Sequence, residues 1–206
     1  MKPVEFIAVG ASLGGLAALR TLVRALPAGF APAVAIVQHR RPDGDSRLAE
    51  LLGSVATLPV REPEDKEAIA PATIYVAPAN YHLLVDDGMF WLTVDAPVSY
   101  ARPSIDVLFE SVAETFGGGA VAVVLTGSSE DGAAGSRAVK RAGGTLLVQD
   151  PRSAESSTLP RAAIAQAEVD LILPLDELVR ALVDLVAARA GVGGAPTAET
   201  ARARSR

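Results

Sequence analysis

The sequence contains no cysteine, which excludes disulfide scaffolds, cysteine nucleophiles and thiolate metal sites, and suits a reducing compartment. Aromatic residues make up only 4% of the 206 residues, so the core has to be assembled from Ala, Val, Leu and Ile, and a hydrophobic content of 50% supplies them. No apolar run reaches the roughly 18 residues of a membrane span. The opening "MKPVEF" leads from one Lys into an apolar run, not into a secretory leader. A net charge of −5 withholds the basic field that nucleic acid or acidic lipid attracts. The expected protein is therefore cytoplasmic, with no nucleic-acid partner and no membrane insertion. Histidine is scarce as well, with two in the chain, so any imidazole chemistry falls to His39 or His82.

What is present is a regular alternation. Short apolar runs, "EFIAVGA", "PAVAIVQH", "ATIYVAP", "AVAVVLTG", "TLLVQD" and "DLILPL", read as strands. Between them lie helical patterns. "LAALRTLVRAL" sets Leu16, Leu19, Val23 and Leu26 on one face and stops at Pro27. "DSRLAELLG" opens at Asp45 or Ser46, "RPSIDVLFESVAETFGG" at an N-cap Ser104, and further helices cover "GAAGSRAVKRAGG", "LPRAAIAQA" and "DELVRALVDLVAARAG". "HLLVDDGMFWLTVD" folds back around Asp87-Gly88 as a hairpin. Continuously apolar strands suit burial on both faces. The expected fold is α/β: a doubly wound, mostly parallel sheet, helices on both faces and an antiparallel hairpin at one edge. Residues 1–190 form one domain, and 191–206, "GVGGAPTAETARARSR", read as a disordered tail.

In such a sheet, chemistry gathers beyond the carboxyl ends of the strands. The first strand ends in Gly10-Ala11-Ser12-Leu13-Gly14-Gly15, a strand-to-helix turn of G-x-S-x-G form. That turn can expose a nucleophilic serine, and the helix N-terminus behind it can stabilise an oxyanion. It can equally cradle a phosphate, and the turn alone serves both readings. There is no G-x-x-x-x-G-K-[ST], however, and the second strand closes on Gln38-His39 instead of the acidic residue that would hold a ribose. His39 can activate Ser12 from the neighbouring strand end. A carboxylate must then orient the imidazole. Asp131 in "TGSSEDGAAG" ranks before Asp150, which ends "LLVQD", and Asp106, which sits at a helix start. His82 begins the hairpin, away from the strand ends, and reads as structural.

The motifs "VGASLGG", "VQH", "IYVAP", "RPSIDVLFES" and "VVLTGSSEDGAAG" together resemble the catalytic domain of the bacterial chemotaxis protein-glutamate methylesterases, over residues 4 to 186. The resemblance implies a Ser12–His39–Asp131 triad, no cofactor and no metal. It also implies hydrolysis of glutamate γ-methyl esters on the cytoplasmic region of a chemoreceptor, releasing methanol, with receptor glutamine deamidation in some relatives. The N–H groups of Leu13 and Ser128 are the oxyanion candidates, and Arg40, Arg41 and Arg102 the candidates for guiding an acidic receptor; an ordinary solvated basic edge is the competing reading of those arginines. The chain departs from the family pattern at Leu13, at Ser128-Ser129-Glu130, at "RRPDGDS" after the histidine and at "TLP". With no room for a receiver domain, its regulation is expected to come from a separate regulatory protein. The alternative is a non-catalytic module of the same fold that binds receptor or nucleotide.

Overall fold

The computed structural model describes residues 2–40 and 47–191. Seven strands form one parallel sheet: β1 (Phe6–Ala11), β2 (Ala33–Gln38), β3 (Val60–Arg61), β4 (Ile74–Val76), β7 (Ala120–Val124), β8 (Thr145–Gln149) and β9 (Leu171–Leu173), in the order β3-β4-β2-β1-β7-β8-β9. The chain winds outward from β1 through β2, then returns to the other side of β1 at β7. The carboxyl ends of β1 and β7 thus flank the point where the winding reverses, which is where an open α/β sheet leaves a crevice.

The apolar runs become strands because both of their faces are covered. In β1, Ile7, Val9 and Ala11 join one core, with α1 (Gly15–Ala25), α2 (Leu48–Gly53) and α6 (Leu175–Gly191). Phe6 and Ala8 of the same strand join the other core, with α3 (Ile105–Phe116), α4 (Ala133–Arg141) and α5 (Thr158–Gln166). All six residues of β1 are buried, and each Val, Ile or Phe so placed contributes about 1.5–3 kcal/mol. The few aromatics are concentrated in the second core: Phe6 stacks on Phe116 at 4.9 Å and Phe90 meets Tyr75 at 4.4 Å.

Two expectations need adjusting, and one strand was not anticipated. The hairpin β5 (His82–Asp86) and β6 (Met89–Thr93) is a two-stranded sheet of its own, not an extension of the main sheet. It is fastened to α3 instead, where Ser111 Oγ accepts from Val85 N–H and Thr115 Oγ1 donates to Val85 O. Leu16 leaves the buried face of α1, which is made by Ala18, Leu19, Leu22 and Val23, and stands 41% exposed. The two-residue β3 carries too short a pattern to be read in advance. Ser104 caps α3 as expected, accepting from Val107 N–H. The proposed start of α2 at Asp45 or Ser46, Arg41 and the tail from 192 onward lie outside the described residues.

Candidate active site

Ser12 is the first residue past β1. Its N–H donates to Thr126 O at 3.0 Å, and its carbonyl accepts from Gly15 N–H at 2.9 Å as the chain turns into α1. The turn is possible because Gly14 adopts φ 78°, a left-handed conformation that costs glycine little. Two side chains from neighbouring strand ends hold it. The Gln38 amide donates to Ser12 O at 2.8 Å and to His39 O at 3.0 Å, tying the serine turn to the histidine turn. The Thr126 hydroxyl donates to Leu13 O at 2.9 Å.

The register places His39 beside that turn. Ala11 faces Gln38 across the β1–β2 ladder, and His39 N–H donates to Ala11 O at 2.9 Å. Its imidazole Nε2 lies 2.6 Å from Asp131 Oδ2, across 92 residues of sequence. Asp131 is fully buried between β7 and α4. Its carboxylate also accepts from the Ser104 hydroxyl (2.7 Å), from Ile105 N–H (2.7 Å) and from Asp106 N–H (3.1 Å). Burial alone would raise its pKa. The hydrogen bonds from His39, Ser104 and Ile105 N–H, with the field of His39, outweigh burial and hold the group below the usual carboxylate range. An ionised carboxylate here fixes the imidazole with its proton on Nε2, which leaves Nδ1 as the ring's basic position.

Two cavities meet at Ser12 and His39. One, of about 680 Å³, is lined by Leu13, Leu16, Arg20, Ser128 and Glu155. The other, of about 370 Å³, is lined by Asn80, Tyr100, Arg102, Pro103 and Ser129. Among the described residues, the N–H groups of Leu13 and Ser128 donate to no oxygen of the chain.

The other expected residues are placed as follows. Arg102 does line a cavity, but its guanidinium donates to Asn80 Oδ1 and to the carbonyls of Val94 and Asp95, so its donors hold the rim of the cavity in shape. Arg40 pairs with Glu62 and donates to Ala77 O. Asp150 pairs with Arg152, two residues on. His82 is buried, with Nε2 3.2 Å from Ala96 O and Nδ1 accepting from Ser104 N–H. Asp106 faces the backbone of Gly132 and Gly135. Gln38, Ser104 and Thr126 hold the site together and were not singled out for it; the legible signal was a polar residue closing an otherwise apolar strand for Gln38 and Thr126. No group of three or more His, Asp or Glu side chains among the described residues could hold a metal ion, and no described helix is long and apolar enough to cross a membrane.

A serine, a histidine and a buried aspartate gathered at the reversal point of a doubly wound sheet place the chain among α/β domains with the constellation of an acyl-transfer site. Comparison with known proteins narrows this. The CheB methylesterase family model matches residues 7–182. The crystal structure of the Thermotoga maritima CheB methylesterase catalytic domain superposes with a TM-score of 0.84 at 31% identity, covering 88% of this chain and 98% of that one. A protein of Leptospira interrogans, provisionally named protein-glutamate methylesterase/protein-glutamine glutaminase, is 38% identical over 182 residues, 88% of this chain and 94% of that protein. A Bordetella parapertussis protein-glutamate methylesterase/protein-glutamine glutaminase is 40% identical over 180 residues, 84% of this chain but 51% of its own length. The chain belongs to the CheB methylesterase family.

Proposed function

We propose that this chain hydrolyses the γ-methyl esters of glutamate residues on the cytoplasmic region of a chemoreceptor, by acyl transfer through Ser12. The observation that carries the reading is the 2.6 Å contact between His39 Nε2 and a fully buried Asp131 at the strand end beside Ser12. His39, oriented by Asp131, takes the Ser12 hydroxyl proton on Nδ1 as Oγ bonds to the ester carbonyl carbon. The N–H groups of Leu13 and Ser128, which donate to no oxygen among the described residues, receive the oxyanion. Methoxide departs with the proton from His39 as methanol. Water, deprotonated by His39, then cleaves the acyl-serine to the carboxylate and restores Ser12. The same steps on a side-chain amide would release ammonia, the deamidation named for its relatives. Each step uses these side chains, the two backbone N–H groups, water and the receptor ester.

The test is methanol release from a methylated receptor fragment by wild type and by Ser12→Ala. Wild type should turn over, and Ser12→Ala should lose about 10⁴-fold or more while keeping its circular dichroism, since the hydroxyl belongs to a turn and not to the core. Turnover by Ser12→Ala at the wild-type rate, or no methanol from wild type, would reject the reading.

A further inference from the structure

Helices α3 and α4 begin side by side, and each begins with backbone N–H groups its own sequence leaves open. The N-cap of α4 is Gly132, which has no side chain to offer, and that of α3 is Ser104, whose hydroxyl accepts only a long 3.4 Å bond from Val107 N–H. The missing acceptors are exchanged. Asp131, one residue before the α4 cap, accepts the N–H groups of Ile105 and Asp106 in the first turn of α3. Asp106 returns the bond: its Oδ1 accepts Gly132 N–H at 2.9 Å and Gly135 N–H at 2.7 Å. Each carboxylate therefore caps the helix that the other one precedes or begins, and both gain from the positive end of that helix.

We propose that Asp106 is a positioning residue of the active site, holding the backbone that carries Asp131 and, through it, the imidazole of His39. This rests on the reading of Asp131 as the carboxylate that orients His39. The lever is short. Gly132 N–H belongs to the peptide that joins Gly132 directly to Asp131, so an acceptor on that N–H fixes the peptide on which the Asp131 side chain is mounted. Asp131 in turn uses Oδ2 both for His39 and for Ile105 N–H, so its carboxylate plane is referred to the first turn of α3, the turn that contains Asp106. The loop closes on itself: displacing Asp106 loosens both the peptide behind Asp131 and the helix end in front of it. Among the described residues the Asp106 carboxylate bonds these two backbone N–H groups and has no hydrogen bond to Ser12 or His39, so its effect on turnover passes through Asp131.

The experiment compares Asp106→Ala, Asp106→Asn and, as a control on the triad, Asp131→Asn. It follows methanol release with kcat and KM separated, and the low-field proton resonance of His39 Nε2–H by NMR. Asp106→Ala should lower kcat about 10- to 100-fold with KM changed less than about two-fold, because misplacement acts on the reacting geometry rather than on substrate binding. It should also shift or broaden the low-field proton. Asp106→Asn keeps an oxygen acceptor for both N–H groups, so it should restore kcat to within about five-fold of wild type and retain the resonance. A folded Asp106→Ala with wild-type kcat and an unmoved resonance overturns the proposal, even if its thermal stability has fallen, since a purely structural role predicts that outcome. Should Asp106→Ala not fold, the Asn variant decides: kcat within the stated range supports the proposal, and a folded Asn variant as inactive as Asp131→Asn overturns it. Undiminished turnover by Asp131→Asn would reject the triad reading itself and is distinct from either result.

Discussion

Replacing Asp106 with Asn should stabilise the protein at neutral pH, although it removes a native charge. The Asp106 carboxyl is pushed up from 3.8 to about 6, first by burial and then by the negative Asp131 beside it, with the N–H groups of Gly135 and Gly132 opposing. A raised folded-state pKa means that the folded protein holds this proton more tightly than the unfolded chain does. The associated stabilisation is complete below the unfolded value, near 4, and is lost as pH rises through about 6. A gap of about 2 pH units at 1.36 kcal/mol each is about 3 kcal/mol that wild type surrenders between those limits. Asn stays neutral and keeps an acceptor for both N–H groups, so it avoids that loss. At each pH from 4 to 8 the two proteins would be unfolded in urea and the stability difference plotted. The curve should climb by about 3 kcal/mol between pH 4 and 6 and level off above, equivalent at pH 7.5 to a melting temperature higher by about 6–12 °C for a domain of this size. Asp131, held below its ordinary range, contributes stability that disappears as pH falls through its folded value; that loss occurs in both proteins and does not create the climb. A flat difference curve, or a wild type more stable than Asp106→Asn at pH 7.5, would refute the reasoning.

Other expectations follow from individual distances. Asp131→Asn should cut methanol release by about 10⁴-fold by presenting the wrong hydrogen-bonding partner to His39 Nε2, with only a modest loss countering the argument. A methyl group at Gly127 would lie 2.8 Å from Ser12 Cβ and 2.7 Å from Leu159 Cδ1. Gly127→Ala should therefore displace Ser12 and reduce kcat about 100-fold in a protein that still folds; near-normal kcat would show that the strand ends yield more easily than their packing implies. Tyr100 is fully exposed at φ 63°, so Tyr100→Gly should raise stability by about 1 kcal/mol in thermal unfolding, and a lowered melting temperature would contradict the strain assigned to that turn.

The sequence by itself determined the elements and the end of the sheet at which polar residues collect. Strands buried on both faces must be apolar along their whole length, so a polar residue closing the run announces the strand end; Ser12 and His39 were legible for that reason, as was the parallel sheet. The family was legible because its motifs recur in order along one chain, and the match over residues 7–182 agrees with that reading. Which carboxylate meets His39 was a matter for the tertiary structure. Asp131, Asp150 and Asp106 each stand at a strand end or helix start, and local sequence ranks them only by plausibility. Packing separates them: Asp150 is drawn to Arg152, Asp106 to the amides of α4, and Asp131 to the imidazole. Tertiary packing alone also turned the hairpin onto α3, swung Leu16 to the mouth of the cavity and spent the Arg102 guanidinium on Asn80 and the carbonyls of Val94 and Asp95. Such outcomes depend on which partner lies within about 3 Å, and hydrogen bonds between residues 25 to 92 positions apart leave no periodic trace in the chain that makes them.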